Sequence, residues 1–243
     1  MEDLNIRYTE RGILIEEDVF VSGDYHIGYS DSIRAMTLSQ ERDEISDRVQ
    51  RVLNNLNPKD FVINGDMFHE FTPASDEART LYENMVARIS VDANYHPIIG
   101  NHDEPTDSEY PNLVDFRNEK TFNFDKPDGD IEVTVLHGHK KPETDSDLYV
   151  VGHLHPVVKI NGVKWPVYLK GENVYNEADV IVLPTFTKYQ DGVVISDKMK
   201  LNIDFPMVPL GRFKDLKPLV YDEDEKAIRE FPVLSKSSSY FGV

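Results

Sequence analysis

Short apolar runs that stop at polar turns constrain the fold of this chain more than any other feature. The run Pro97-Ile98-Ile99 ends in Gly100-Asn101-His102-Asp103, which places an amide, an imidazole and a carboxylate just beyond a predicted buried strand. In open α/β sheets, ligands bind in the crevice at the carboxyl ends of the strands. Taken alone, this tetrapeptide is more typical of a polar turn than of a site, so its interpretation depends on partners elsewhere in the chain.

The first hundred residues alternate between predicted strands and predicted helices. Apolar runs predict strands at 12–15, 19–23, 61–64 and 97–100, and helical periodicity covers 32–56 and 76–90. Ser75 is a suitable N-cap for the second helix, and Pro58 ends the first. A β-α-β-α-β order predicts parallel strands that are joined by helical crossovers.

The second half of the chain has a different pattern. Strands are predicted at 131–136, 148–151, 157–160, 163–169, 180–183, 193–196 and 199–203, and turn signals between the later ones favour antiparallel hairpins. Residues 104–130 are predicted to be a surface connection with one helical turn at 112–116, and the charged residues 221–230 to be a short helix. We expect one domain over residues 1–204, followed by a C-terminal extension, 205–243, of unknown role.

Composition limits the chemistry that the chain can support. It contains no cysteine, which excludes disulfides and thiolate metal sites, so any metal must be held by His, Asp, Glu or Asn. The formal net charge of -18 argues against holding nucleic acid by electrostatics alone, but it is compatible with an enzyme whose metal ions supply local positive charge. We expect a soluble, cytoplasmic protein, because there is no secretory signal pattern and no apolar run near the ~20 residues that span a bilayer.

Five predicted strands end in turns that carry metal-binding residue types. The candidates are Asp24, His26, Asp66, Asn101, His102, His137, His153 and His155. These include five of the eight histidines, and residues 156–243 contain none, so the clustering favours a site over a chance collection of turns. Imidazole and carboxylate ligands suit Mn, Fe, Zn, Ni or Co. This number of side chains is larger than the number of ligands that one ion takes, whereas two ions that share a carboxylate would use them.

The order Asp-x-His, Gly-Asp, Gly-Asn-His-Asp, His and Gly-His-x-His resembles the signature of calcineurin-like metallophosphoesterases. The motifs that carry it are Asp24-Tyr25-His26-Ile27-Gly28-Tyr29, Gly65-Asp66 with His69-Glu70-Phe71, His137-Gly138-His139, Gly152-His153-Leu154-His155-Pro156 and Leu183-Pro184-Thr185-Phe186. The resemblance covers residues 12–204 and is nearest to archaeal phosphoesterases related to the SbcD nucleases and to bacterial phosphoesterases encoded with DNA ligases. The Arg-Gly pair that follows the second motif in Ser/Thr protein phosphatases is absent, which disfavours that class.

The resemblance implies an α/β fold, a four-layer αββα sandwich of two mixed β-sheets flanked by helices, known as the metallo-dependent phosphatase fold. It also implies two divalent metal ions, with Mn²⁺ expected and Fe, Zn, Ni or Co as alternatives. The implied ligands are Asp24, His26 and His155 for the first ion, Asn101, His137 and His153 for the second, and Asp66 as the bridge.

Further site residues follow from the same resemblance. His102 is expected beside the scissile phosphate, where it stabilises charge or protonates the leaving oxygen, and Asp103 is expected to orient that imidazole. Tyr29, Arg34 and His69 are candidate substrate contacts. Aromatic packing at Tyr29, a helix-surface charge at Arg34 and a structural role for His69 are the alternatives.

The predicted activity is hydrolysis of a phosphodiester through a metal-bridging hydroxide, with DNA or RNA as the substrate by resemblance. A phosphodiesterase that acts on small or cyclic nucleotides is the alternative, and the net charge of -18 favours it because a long polyanion would be repelled outside the site. A binding or scaffold protein that keeps the fold without turnover belongs to a different class. The intact ligand set and His102 argue against it. No membrane partner is expected.

Overall fold

The computed structural model describes residues 4–32, 37–189, 192–196, 205–237 and 240–241. Its strands are β1 Ile6–Tyr8, β2 Ile13–Ile15, β3 Val19–Ser22, β4 Asp60–Asn64, β5 Asn94–Ile98, β6 Glu119–Phe124, β7 Ile131–Leu136, β8 Leu148–Val151, β9 Pro156–Ile160, β10 Val163–Pro166, β11 Tyr168–Tyr175, β12 Ala178–Val182, β13 Val193–Val194, β14 Lys217–Asp222 and β15 Ala227–Glu230. Its α-helices are α1 Tyr29–Ser32, α2 Leu38–Leu56, α3 Asp76–Asp92 and α4 Glu104–Glu109, and its 3-10 helices are Leu210–Asp215 and Leu234–Lys236. Among these described ranges, no helix has the length and apolar character needed to cross a membrane.

Two large mixed sheets form the centre of the fold. The first has the strand order β1-β2-β3-β4-β5, in which β3, β4 and β5 are parallel. The second has the order β15-β14-β11-β12-β8-β7-β6, in which β7, β8 and β12 are parallel. A three-stranded sheet, β10-β9-β13, completes the β structure. The predicted strand–helix alternation of the first hundred residues and its parallel strands are therefore confirmed.

Alternating side chains stack the two large sheets face to face. On β3, Phe20 belongs to the cluster that packs against the helices, whereas Val19 and Val21 belong to the cluster between the sheets. Helices α2 and α3 cover the outer face of the first sheet with Ile45, Val49, Leu53, Leu81, Met85 and Ile89. The second sheet contributes Val133, Val135, Leu148, Val150 and Ile181 to the core between the sheets.

The outer face of the second sheet is covered by the C-terminal part of the chain. Val180 and Val182 on β12 share a buried cluster with Phe205, Met207, Val208, Phe213, Leu216, Leu234 and Phe241. The predicted four-layer sandwich is therefore confirmed. Its fourth layer, in the residues that the structure describes, is built from 3-10 helices and extended chain instead of an α-helix.

Local signals account for the bounds of the two long helices. Thr37 and Gln40 form a capping box at the start of α2, and Asn57, with φ 47°, ends the helix in the left-handed conformation. The Ser75 side chain accepts a hydrogen bond from the Ala78 N–H at the start of α3, as predicted. Helical periodicity was expected from residue 32; residues 33–36 lie outside the described residues, and α2 begins at Leu38.

Two predictions of secondary structure are wrong. Residues 104–130, expected to be a surface connection, contain α4 and β6, and β6 pairs with β7 along its whole length. Residues 221–230, expected to be a helix, lie in the β14–β15 hairpin, and β14 also pairs with β11. The predicted strand at 199–203 lies outside the described residues. The division of the chain at residue 204 stays a prediction, although β14 is part of the second sheet.

Candidate metal centre

Each candidate motif begins one to three residues after the end of a parallel strand. Asp24 follows β3, Asp66 follows β4 and Asn101 follows β5 in the first sheet, while His137 follows β7 and His153 follows β8 in the second. The carboxyl ends of parallel strands lie at one edge of a sheet, and here the edges of two sheets face a common point. The structure therefore brings the five motifs together, as the sequence predicted.

The first group of potential ligands contains Asp24, His26, Asp66 and His155, with one donor atom from each lying within 4.8 Å of the others. The Nε2 atom of His155 is 3.0 Å from Oδ1 of Asp24 and 3.2 Å from Nε2 of His26. The Nε2 atom of His26 is 3.9 Å from Oδ2 of Asp66. This group joins residues that follow strands of both sheets.

The second group contains Asp66, His137 and His153, again with donor atoms within 4.8 Å of one another. The Nε2 atom of His137 is 3.3 Å from Oδ1 of Asp66 and 3.2 Å from Oδ1 of Asn101. Asp66 belongs to both groups, so the other six side chains named as ligands from the sequence lie around its carboxylate.

The donor set fits divalent cations. Donors that sit ~2.1 Å from one ion lie roughly 3.0–3.4 Å apart, and the closest donor pairs here are 3.0–3.3 Å apart. His137 Nδ1 donates a hydrogen bond to the backbone oxygen of Asn64 at 3.1 Å, which fixes the tautomer and leaves Nε2 free as a ligand. The buried Nδ1 of His26 has no hydrogen-bond partner in the described part of the chain.

Burial and mutual charge shift the pKa values at this centre. Burial alone would raise the pKa of Asp66, but His137 outweighs it and holds this pKa well below its usual range. Burial alone would lower the pKa of His137, but Asp66 outweighs it and raises the pKa to about 9. Burial lowers the pKa of His26 to about 3 and that of His153 to about 4. At neutral pH, His26 and His153 therefore offer unprotonated nitrogens, whereas His137 would have to lose a proton before its Nε2 atom could act as a ligand.

The backbone is strained where it presents the ligands. Positive φ angles occur at Asp24 (57°), His26 (48°), Asp66 (47°), His153 (66°) and His155 (47°). The left-handed region costs a residue other than glycine ~1–2 kcal/mol, and such outliers concentrate at functional sites. A Cβ atom at Gly100 would overlap the backbone nitrogen and the carboxylate of Asp66, so only glycine allows the two turns to approach so closely.

His102 lies beside the shared carboxylate. Its Nε2 atom is 3.9 Å from Oδ2 of Asp66, and its backbone N–H donates to Oδ1 of Asp66 at 3.0 Å. Its Nδ1 atom donates a hydrogen bond to the backbone oxygen of His69. This contact leaves Nε2 as the ring nitrogen that faces the centre.

The prediction that Asp103 orients the His102 ring is wrong, because the backbone oxygen of His69 makes that contact. The buried carboxylate of Asp103 accepts hydrogen bonds from the backbone N–H groups of Met67 at 2.8 Å, Phe68 at 3.1 Å and Gly100 at 2.8 Å. Burial, and then the charge of Asp66, raise the pKa of Asp103 to about 7. Asp103 thus joins the turn after β4 to the turn after β5.

Aromatic rings surround His102 on the outer side of the centre. The ring centroid of Phe71 is 3.8 Å from that of His102, although 65% of Phe71 is exposed. The ring of His69 lies 6.1 Å from His102 and 4.8 Å from Tyr29. Tyr29 and His69 are therefore near the centre, and their role as substrate contacts stays a prediction. Arg34 lies outside the described residues. Phe71 was not predicted as a site residue, and its signal was an aromatic side chain in a polar loop directly after the second motif.

Glu41 is a second residue that sequence reasoning missed. Its buried carboxylate reaches from α2 to the loop that follows His26. There Oε1 accepts hydrogen bonds from the N–H groups of Gly28 at 2.9 Å and Tyr29 at 3.1 Å, and Oε2 accepts one from the Ser30 hydroxyl at 2.6 Å. Glu41 thereby anchors the loop that carries the first ligand pair.

Comparisons with known proteins bear on the same fold and site. The crystal structure of Pseudomonas putida nuclease MPE has a TM-score of 0.60 to this chain at 17% identity, covering 89% of this chain and 96% of that one, and at such identity the likeness concerns the fold. A conserved protein from Streptococcus pneumoniae TIGR4, described as a predicted phosphoesterase, has a TM-score of 0.32 at 13% identity, covering 88% and 95%. No curated protein matches the chain.

The match to a family model covers most of the chain. The model described as calcineurin-like phosphoesterase matches residues 18–187, a range that contains all seven candidate ligands and His102. The chain therefore belongs to the calcineurin-like phosphoesterase family of metal-dependent hydrolases.

Proposed function

We propose that the protein is a two-metal phosphodiesterase that cleaves nucleic acid, with an activity like that of the SbcD nucleases. The observation that carries this proposal is the position of Asp66, which belongs to both ligand groups and lies beside His102. A shared carboxylate suits two ions ~3.5–4 Å apart, the arrangement used for in-line displacement at phosphorus. Mn²⁺ is the expected ion because the donors are imidazole, carboxylate and amide groups.

The side chains divide into two sets of ligands. Asp24, His26 and His155 would hold the first ion, Asn101, His137 and His153 the second, and Asp66 both. When bound, the ions act as Lewis acids on the phosphoryl group and on the water that attacks it. The protein contributes position, because the strained turns hold the donor atoms at the ends of strands that are already packed.

His102 would handle a proton at Nε2. The hydrogen bond from Nδ1 to the backbone of His69 fixes the ring, so Nε2 alone is free to hold or release a proton toward the substrate. In its protonated form the ring stabilises negative charge on the phosphoryl oxygens and protonates the leaving oxygen. General acid catalysis of this kind contributes typically ~10²–10⁴-fold to the rate.

The aromatic rings near His102 support a substrate that contains nucleobases. Phe71 presents an exposed ring next to the proposed acid, and the faces of nucleobases stack readily on aromatic side chains. Pseudomonas putida MPE, which shares the fold, is itself described as a nuclease.

A phosphodiesterase for small or cyclic nucleotides is the second candidate. The net charge of -18 favours it, because a long polyanion would meet repulsion over much of the protein surface. A small nucleotide could still stack on Phe71 and reach the ions.

One set of assays separates these functions. The protein is purified with Mn²⁺, its metal content is measured, and it is offered bis-p-nitrophenyl phosphate, 2′,3′-cyclic nucleotides, and single- and double-stranded DNA. We expect hydrolysis of the simple diester and of DNA. Turnover of cyclic nucleotides without DNA would favour the second candidate. Failure to turn over any of them with Mn²⁺ bound would refute the enzymatic proposal and favour a scaffold role.

A further inference from the structure

A path of basic side chains leads away from the candidate metal centre, across the turn between β1 and β2. We infer that this path binds the phosphate backbone of single-stranded nucleic acid next to the cleavage site. The inference rests on the proposed function, because it specifies the substrate of the same centre. It is tested below by binding, so that its failure can be told apart from a failure of catalysis.

The path begins at a ligand of the first group. A cavity of about 170 Å³ has His155 in its wall, together with Arg11, Lys164, Lys188 and Tyr189. The walls of this cavity come from the β1–β2 turn, the β9–β10 hairpin and the loop after β12. A phosphate that occupies it would therefore be next to the one at the metal centre.

The path continues into a second cavity through Arg11, which lines both. The second cavity measures about 550 Å³, a volume typical of ligand sites. Its charged lining residues are Arg7, Glu10, Arg11, Arg48, Arg51, Glu223 and Lys226. The two cavities therefore adjoin at the side chain of Arg11.

The charge of this path is opposite to that of the whole protein. The chain has 26 Lys and Arg residues against 44 Asp and Glu. Across the two cavities, seven lining residues are Lys or Arg and two are Glu. A protein that repels polyanions elsewhere would thus direct a strand toward this route and into the centre.

Carboxylates neutralise only part of the positive charge. Arg48 pairs with Glu10 at 2.8 Å and with Glu44 at 2.7 Å. Lys188 pairs with Glu10 at 3.2 Å and with Glu223 at 3.8 Å, and Arg7 pairs with Glu17 at 3.0 Å. Arg11 has a different environment: its Nη1 donates to the backbone oxygen of Thr185 at 3.3 Å, and no carboxylate in the described residues pairs with it within 4.0 Å. Burial, and then repulsion by Arg48, lower the pKa of Arg11, so a phosphate beside this guanidinium would offset part of the cost of holding its charge there.

At the far end of the path, Lys226 is a second cation that a phosphate could contact. It is exposed in the turn between β14 and β15 and has no ion pair with another described residue. Arg11 and Lys226 are therefore the two cations of the path that are most able to take a phosphate without breaking an existing pair.

Aromatic side chains between the cations favour a single strand over a duplex. Tyr189 lines the first cavity and is 37% exposed, and the half-buried Tyr8 and Tyr221 line the second. Proteins that bind single strands combine a basic groove with aromatic rings on which the bases stack. The bases of a duplex are paired and stacked inside it, so they could not reach these rings.

The test compares two charge-matched double variants. Arg11→Gln with Lys226→Gln removes two charges from the path. Lys214→Gln with Lys236→Gln removes two exposed charges from the fourth layer, away from either cavity. Binding of a fluorescent 30-nucleotide phosphorothioate oligothymidylate to the Mn²⁺-loaded proteins is measured by anisotropy from 0.05 to 0.3 M salt, under conditions in which no cleavage is detected.

Removing two phosphate contacts makes the negative slope of log K against log salt less steep by about 1.4, since each contact to a single strand contributes ~0.7. The affinity of the path variant at 0.1 M salt should then fall roughly 25-fold, while the control variant matches the wild type. Equal affinities and slopes for the two double variants would refute the path. Equal binding of a duplex and a single strand would refute its preference for single strands. A wild-type protein that binds the strand but hydrolyses no diester would refute the proposed function and leave the path standing.

Discussion

Asp103 offers the sharpest test of how the two central turns are held together. Its carboxylate accepts three backbone hydrogen bonds from the turns after β4 and β5. Changing Asp103 to Ala leaves those three buried N–H groups without their acceptor. Changing Asp103 to Asn keeps one oxygen but directs an amide N–H₂ group against one or two of the donors.

The expected losses of stability follow from these contacts. A buried donor left unpaired costs ~1–3 kcal/mol, so Asp103→Ala should lower the free energy of unfolding by about 4 kcal/mol even after partial relaxation. Asp103→Asn, which removes the charge and about one hydrogen bond, should cost about 2 kcal/mol. For a chain of this length, 1 kcal/mol shifts the Tm by roughly 2–4 °C, which gives losses of roughly 8–16 °C and 4–8 °C.

The assay is thermal unfolding in EDTA, followed by circular dichroism, with Asp115→Ala as the control because Asp115 is exposed in the same part of the chain. A surface change of that kind should stay within ~0.5 kcal/mol. If Asp103→Ala melted within about 2 °C of the wild type, the role of Asp103 as a brace between the turns would be refuted.

Four further outcomes are expected. Asp66→Asn should abolish tight Mn²⁺ binding in both ligand groups, and calorimetry that still finds two tight ions would contradict a shared ligand. His102→Ala should keep both ions and lower kcat for DNA by ~10²–10⁴, and a loss of metal instead would assign the residue to the ligand set. Because His137 has a pKa of about 9 without an ion, it must lose a proton to bind Mn²⁺, and the Mn²⁺ affinity should rise about tenfold for each pH unit up to that value. Calorimetry at pH 6.5, 7.5 and 8.5 that finds a constant affinity would contradict this. Phe71→Leu should raise KM for a dinucleotide more than for a diester of abasic deoxyribose, while Leu210→Ala, which changes a side chain of equal exposure, 65%, should alter neither.

The grouping of the candidate ligands could be predicted from sequence because the signal for each one is local. A short apolar run, a turn and a His or Asp beyond it are all visible within ten residues, and parallel strands bring such ends together. The order of the motifs then distinguished this arrangement from a chance set of turns. Asn101 and His137, for example, are 36 residues apart in the sequence, and yet Oδ1 of Asn101 lies 3.2 Å from Nε2 of His137.

The remaining features depend on contacts that local patterns do not contain. Strand β6 has a mixed, half-buried sequence and exists because it pairs with β7. The segment that forms β14 and β15 is rich in charge and resembles a helix surface, but pairing with β11 makes it extended. Asp103 follows a ligand turn, so a role for its side chain at His102 was the natural expectation. Its actual partners are three backbone N–H groups, and two of them, those of Met67 and Phe68, lie 36 and 35 residues away.

The contact from Glu41 has a consequence for motion. Its carboxylate, in the first turn of α2, accepts hydrogen bonds from the amides of Gly28 and Tyr29, so the start of the helix and the loop after His26 should open as one cooperative unit. An ion held by Asp24 and His26 would lower the population of the open state, since a bound ligand stabilises the closed state by mass action. Amide hydrogen exchange in the first turns of α2 would then report ion occupancy at the centre, without any ion touching the helix.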